Sequence, residues 1–95
     1  MKIEHQDNGY MGSFQLLNDQ TSVAEMTYRW SEDHLIIEHT FVDPSLRGKG
    51  VGEELIRHAI DFASRKHIKI LPECPYAKAI MYRKEEFLPY IYSDL

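Results

Sequence analysis

The alternation of apolar and polar positions predicts strands throughout the first half of the chain. Asn8-Gly9 is a strong tight-turn signal, and the polar run at 18–20 marks a second turn. Clean alternation over 24–30 predicts a half-buried strand, whose apolar face carries Ala24, Met26, Tyr28 and Trp30. The predicted strands span residues 2–6, 10–17, 24–30 and 35–42, the last of them more fully buried.

The period changes after residue 45. Apolar residues recur at three- and four-residue steps over 49–66, which predicts an amphipathic helix packed on a sheet. A short strand over 67–71 and a second helix over 75–86 follow, and the type of a last element over 87–92 stays open. We predict one α/β (α+β) domain over residues 1–95. Its sheet is mixed and mostly antiparallel, with two main helices and one parallel strand–helix–strand unit.

Composition narrows the class of function. The chain has 95 residues and a net charge of -4, which argues against a nucleic-acid partner. The single cysteine, Cys74, excludes an internal disulfide and a multi-cysteine zinc site, and it fits a reducing compartment. The histidines lack metal-ligand spacing, and neither a membrane span nor a signal-peptide core is present. We therefore expect a cytoplasmic monomer without metal, membrane or nucleic-acid partner.

A glycine-rich segment, residues 46–52, joins the strand at 35–42 to the following helix, and we call it the glycine junction. Glycines allow a positive φ and the close approach of an anion, and the first amides of a helix lack internal partners. Arg47 and Lys49 add positive charge at the same place. The spacing matches neither the nucleoside-triphosphate loop nor the dinucleotide fingerprint. The junction predicts a site for a phosphate-bearing cofactor, with ordinary loop glycines beside solvated cations as the alternative.

Residues 35–90 resemble the GNAT superfamily of N-acetyltransferases. The junction carries that family's motif of Arg, two residues, Gly, one residue, Gly, after a similar lead-in strand at 40–46. Residues 82–87 match the family's Tyr-x-Lys-x-Gly-Phe motif, except that Glu86 replaces its glycine. The segment Glu38-His39-Thr40 and the Pro-x-Cys segment at 72–74 resemble a small GNAT-like subgroup.

The resemblance implies a GNAT-like fold and an acetyl-coenzyme A-dependent N-acetyltransferase, an acyltransferase acting on an unidentified amine. The backbone of Phe41 and Val42 would pair with the pantetheine arm, and the thiol end would lie near Cys74. Lys78 would either touch a cofactor phosphate or be a plain surface lysine. The amides that would hold the pyrophosphate surround Arg47, Gly48, Gly50, Val51 and Gly52, with the Lys49 charge beside them.

The strands of the first half are joined directly, without the extra helices that help to form the acceptor site in the GNAT family. A non-catalytic acyl-coenzyme A-binding or sensing module is therefore the alternative function.

Cys74 precedes Pro75, and proline favours the first position of a helix. Cys74 would then cap that helix, where free amides lower the pKa of a thiol and favour the nucleophilic thiolate. An acetyl relay through this thiol is one hypothesis, and a small buried hydrophobic residue is the other.

Two more side chains complete the predicted catalytic set. His39 alternates with Ile37 and Phe41 on one strand face, as either a hydrogen-bonded core residue or a general base for Cys74 or the acceptor amine. Glu38, on the other face, is a rival base or a solvated carboxylate. By resemblance, Tyr82 would protonate the leaving thiolate, and a core aromatic is its alternative role.

Overall fold

The computed structural model describes residues 1–93, which form a five-stranded sheet with two α-helices. The strands are β1 (Lys2–Asp7), β2 (Met11–Asn18), β3 (Thr21–Ser31), β4 (His34–Val42) and β5 (Lys69–Pro72). The helices are α1 (Val51–Arg65) and α2 (Pro75–Arg83), with short 3₁₀ helices at Pro44–Leu46 and Glu85–Tyr90.

The strands lie in the order in which they occur along the chain. Neighbours from β1 to β4 pair antiparallel, whereas β4 and β5 pair parallel and are connected through α1. The predicted mixed, mostly antiparallel sheet with one parallel strand–helix–strand unit is confirmed. The glycine junction and the start of α2 both follow the carboxyl ends of these parallel strands, at the edge where ligands of such sheets bind.

Three predicted boundaries are wrong, and one of them is the start of β3, which lies at Thr21 rather than at residue 24. The second helix ends at Arg83 rather than at residue 86, because Lys84 is extended and a separate 3₁₀ helix carries Phe87 into the core. The strand predicted from residue 67 begins at Lys69. His67 has a left-handed φ of 59°, and its amide bonds to Ser64 as the end of α1 closes.

The two faces of the sheet differ in composition. Both helices pack on one face, where Ala24, Met26 and Tyr28 of β3 are buried as the alternation predicted. We call this the helical face. The opposite face, here the polar face, carries Ser13, Gln15, Glu25, Thr27 and Arg29. One packed and one polar face is typical of antiparallel sheets.

A β-bulge interrupts the alternation in β4. Tyr28 pairs with Ile37, and Thr27 pairs with His39, which leaves Glu38 as an extra residue. The prediction that His39 shares a face with Ile37 is therefore wrong. Ile37 lies on the helical face, whereas His39 is exposed on the polar face. The strand at 35–42 is fully buried only as far as Ile37, and its second half is partly exposed.

Candidate active site

The second half of β4 has an open edge. β5 pairs with β4 only as far as Ile37 and Pro72, and the Ile37 carbonyl then accepts the amides of Glu73 and Cys74, each at 3.0 Å. Beyond that point no strand of residues 1–93 pairs with this edge of β4. A bare strand edge offers backbone donors and acceptors to an extended ligand. The backbone of Phe41 and Val42, predicted to hold such a ligand, lies in this part of the strand.

A cleft connects the open edge to the glycine junction. It has a volume of about 440 Å³ and is lined by Thr40, Phe41, Val42, Arg47, Gly48 and Tyr76. A second depression of about 490 Å³ lies beside the turn between β1 and β2 and runs over the polar face. None of the predicted cofactor residues lines that second depression. We take the first cleft as the candidate site because it joins the bare backbone to the positively charged loop.

The glycines of the junction have two different structural roles. Gly48 and Gly50 adopt left-handed φ values of 80° and 77°, with open space where a side chain would start. Gly50 also caps α1 without a side-chain bond, which leaves the first amides of the helix free for a ligand. Gly52 has no such φ. A Cβ atom on it would lie 2.2 Å from the Tyr76 hydroxyl oxygen.

Two cationic side chains lie at the entrance to α1. Arg47 and Lys49 are both exposed, and neither forms an ion pair with a carboxylate of residues 1–93. Two unpaired cations beside the positive end of a helix dipole favour a negatively charged ligand. This local geometry favours an anion, and the site stays a prediction.

Cys74 is the N-cap of α2 with Pro75 at the first helical position, as predicted. Its side chain is 6 % exposed, and its Sγ lies 3.6 Å from the Thr40 hydroxyl oxygen. Burial raises the pKa of this thiol, but the Ala77 amide, the Thr40 hydroxyl and the Tyr76 amide outweigh burial and leave the pKa below its usual value. The sulfur makes no capping hydrogen bond to α2, but the nearby Ala77 and Tyr76 amides and the Thr40 hydroxyl still favour the thiolate.

A family model described as GCN5-related N-acetyl-transferase matches residues 13–90. The chain belongs to this family. The match confirms the resemblance found over residues 35–90 and extends it into the strands of the first half. It also confirms the acyltransferase class that the resemblance implied.

Solved structures of N-acetyltransferases share the fold. A GCN5-like N-acetyltransferase candidate from Staphylococcus aureus has a TM-score of 0.77 and 26% identity, over 97% of this chain and 88% of that chain. The ribosomal-protein-S18-alanine N-acetyltransferase from Escherichia coli has a TM-score of 0.65 and 22% identity, over 82% of this chain and 52% of that chain. A search of curated proteins found no match.

A further relative was solved with acetyl coenzyme A. It is a streptothricin acetyltransferase candidate from Bacillus anthracis, with a TM-score of 0.65 and 21% identity over 81% of this chain and 47% of that chain. This chain thus spans about half the length of that protein and of the Escherichia coli enzyme.

The structure does not bring together the three side chains predicted to be catalytic. Cys74 meets Thr40 on the helical face, whereas His39 is exposed on the polar face. Tyr82 is 53 % exposed, so the alternative of a core aromatic is wrong. It also lies about 12 Å from Cys74 along the axis of α2, at the helical rise per residue. Thr40 was missed as the neighbour of the thiol because the bulge shifts the alternation by one residue.

The remaining polar candidates have plainer surroundings. Glu38 lies in the bulge and pairs with Arg29 at 2.9 Å. Lys78 is exposed in the second turn of α2. Glu86, which replaces a family glycine, forms an ion pair with Arg57 of α1 at 2.8 Å. This ion pair joins the 3₁₀ helix Glu85–Tyr90 to α1.

The part of the chain over residues 1–93 contains no group of three or more histidine, cysteine, aspartate or glutamate side chains that could hold a metal ion. None of its helices is long and apolar enough to span a bilayer.

Proposed function

We propose that this chain is an acetyl-coenzyme A-dependent N-acetyltransferase that transfers an acetyl group to an amine. The observation that carries the proposal is the continuity between the open edge of β4 and the glycine junction, which line one cleft. Membership of the N-acetyltransferase family supports the reaction class, and the Bacillus anthracis relative solved with acetyl coenzyme A supports the ligand.

The chemistry of the cleft fits the parts of coenzyme A. An extended amide-bearing arm can pair with the backbone of Phe41 and Val42, since that edge is bare. The diphosphate can approach the first amides of α1 closely, because Gly48 and Gly50 leave open space there. Arg47 and Lys49 neutralise its charge, and Lys78 of α2 is a more distant cation for the remaining phosphate. When bound, the ligand supplies an acetyl thioester.

Two routes for the acetyl group are consistent with the surroundings of Cys74. In direct transfer, the amine attacks the thioester carbonyl, coenzyme A leaves as its thiolate, and the proton lost by the amine nitrogen neutralises that thiolate. In a relay, the Cys74 thiolate attacks first and a Cys74 thioester forms as the coenzyme A thiolate leaves. The amine then takes the acetyl group, which frees the Cys74 thiolate, and the proton lost by the amine neutralises the coenzyme A thiolate. A Cys74→Ala protein that transfers acetyl at the wild-type rate would exclude the relay, whereas mass-spectrometric detection of acetylated Cys74 during turnover supports it.

Calorimetry with acetyl coenzyme A tests the central claim. We expect wild type to bind and Gly50→Glu to bind at least about tenfold more weakly, because the new carboxylate repels the diphosphate. Gly9→Glu is the matched control, since Gly9 also has a left-handed φ, of 90°, and open space around it, but lies at the turn between β1 and β2. Absence of binding by wild type would refute the proposal, and equal binding by both variants would place the ligand elsewhere.

A non-catalytic acyl-coenzyme A-binding or sensing module is the second candidate. The observation in its favour is that His39 does not face Cys74 and Tyr82 is distant, so neither predicted proton-transfer group meets the thiol. This alternative predicts tight binding without acetyl transfer to any member of a broad amine panel. Measurable turnover of one amine that is lost in Gly50→Glu would exclude it.

We also propose that residues 1–95 form one domain, which is cytoplasmic and monomeric. The chain has a single cysteine and can form no internal disulfide, which suits a reducing compartment. Light scattering coupled to gel filtration, with and without acetyl coenzyme A, tests the monomer. A mass of two chains under either condition would contradict it.

A further inference from the structure

Tyr76 lies directly over the third glycine of the junction. A Cβ atom on Gly52 would be 2.2 Å from the Tyr76 hydroxyl oxygen and 2.5 Å from its ring. Gly52 is buried in the first turn of α1, whereas Tyr76 is in the first turn of α2. The tyrosine ring therefore fills the space of the absent side chain and joins the starts of the two helices.

The Tyr76 hydroxyl is a free donor at the place where a diphosphate is expected. The residue is 46 % exposed and lines the same cleft as Arg47 and Gly48. No hydrogen bond within residues 1–93 involves its hydroxyl group. A phenol beside the unpaired first amides of a helix is well placed to add one more hydrogen bond to an anion bound there.

We propose that Tyr76 is a ligand-binding residue whose hydroxyl donates a hydrogen bond to the diphosphate of the bound acyl-coenzyme A. This inference rests on the function proposed above and adds a contact from α2 to those from the junction. Position 52 then requires glycine because a side chain there would occupy the space of the tyrosine ring, and not because the backbone adopts a positive φ. Since Cys74 is two residues before Tyr76, the same contact fixes the cap of α2 relative to the bound ligand.

The first test compares coenzyme A binding by wild type, Tyr76→Phe and Tyr10→Phe. Tyr76→Phe keeps the ring over Gly52 and removes only the hydroxyl, and we expect about tenfold weaker binding for the loss of one hydrogen bond to a charged group. Tyr10 is exposed at the turn between β1 and β2, so its variant should bind as wild type does. Equal affinity of wild type and Tyr76→Phe overturns the inference.

Phosphorus NMR of bound coenzyme A identifies the group that is contacted. We expect Tyr76→Phe to move the diphosphate resonances of the bound ligand and to leave the resonance of its 3′-phosphate in place. A change confined to the 3′-phosphate, or no change, contradicts a contact to the diphosphate. A merely structural role of Tyr76 would not select one phosphorus signal.

A double-variant cycle tests the link to Gly52. In Gly52→Ala the new methyl group displaces the tyrosine, which can move because it is half-exposed. Coenzyme A binding should then weaken about as much as in Tyr76→Phe, and combining the two changes should add little. Fully additive losses overturn the link. If wild type does not bind coenzyme A, the proposed function itself is refuted. If wild type, Tyr76→Phe and Gly52→Ala all bind it equally well, only the role of Tyr76 is refuted.

Discussion

At the scale of single residues, the Ala77 amide and then the Thr40 hydroxyl do most to lower the pKa of the Cys74 thiol against burial. Cys74 is buried, which by itself disfavours a thiolate, and the Thr40 hydroxyl joins two backbone amides in reversing that effect on the pKa. Sequence reasoning found the thiol and its capping position because Pro75 indicates a helix start. Strict alternation predicts His39 rather than its neighbour Thr40 on the side of the thiol, because it does not report the bulge at Glu38.

Replacing Thr40 with valine should raise the pKa of the Cys74 thiol. Valine keeps the shape of threonine and removes the hydroxyl, while the Ala77 and Tyr76 amides stay in place. The thiolate fraction at neutral pH should therefore fall. Ultraviolet absorbance of the thiolate as a function of pH measures this, because the chain has one cysteine.

Thr27→Val is the control for the Thr40 variant. Thr27 lies on the polar face and pairs with His39, so its hydroxyl is remote from the sulfur. We expect its thiol titration to match that of wild type. An unchanged pKa in Thr40→Val, or equal shifts in both variants, would show that Thr40 does not tune Cys74.

At the scale of elements, periodicity predicted every strand and both helices, but not the contacts that make the site. The helical period of residues 49–66 correctly indicated which face of α1 is buried. By contrast, Gly52 and Tyr76 are far apart in sequence, and their contact exists only because α1 and α2 pack side by side. No local pattern reports such a contact. The open edge of β4 could not be predicted from local patterns either, because it depends on the residue at which β5 stops pairing with β4.

Packing of α1 on the sheet should dominate the stability of the domain. Leu55 is 0 % exposed in the middle of the core, so Leu55→Ala leaves a cavity and should cost about 2–5 kcal/mol of unfolding free energy. Urea denaturation measures the loss. Leu88 is 44 % exposed on the last 3₁₀ helix, and Leu88→Ala should stay within about 0.5 kcal/mol of wild type. Similar losses in the two variants would mean that α1 is not the main support of the core.

At the scale of the whole molecule, the sheet is packed on one face and polar on the other. The alternation of residues in β3 predicts this difference between the two faces, and the structure shows it across β2, β3 and the second half of β4. Stability therefore depends on a single core, supplemented by polar links such as that of Asp7. This carboxylate accepts hydrogen bonds from Tyr28 at 2.5 Å, from Trp30 at 2.8 Å and from the Gly9 amide at 2.8 Å.

Acid should weaken the domain partly through Asp7. Burial raises the pKa of this carboxyl, but hydrogen bonds from Tyr28, Trp30 and Gly9 outweigh burial and hold the pKa below its ordinary value of 3.8. A folded-state pKa below the unfolded-state pKa stabilises the fold at pH values above the unfolded-state pKa. This contribution is lost as the pH falls through the folded-state pKa.

Urea denaturation of wild type and Asp7→Asn at several pH values measures this contribution. Wild type should be more stable at neutral pH, and the difference should shrink below about pH 4. Other carboxylates titrate in both proteins, so their contributions cancel in the difference between the two free energies of unfolding. A difference that stays constant down to about pH 3 would show that the Asp7 charge does not support the fold.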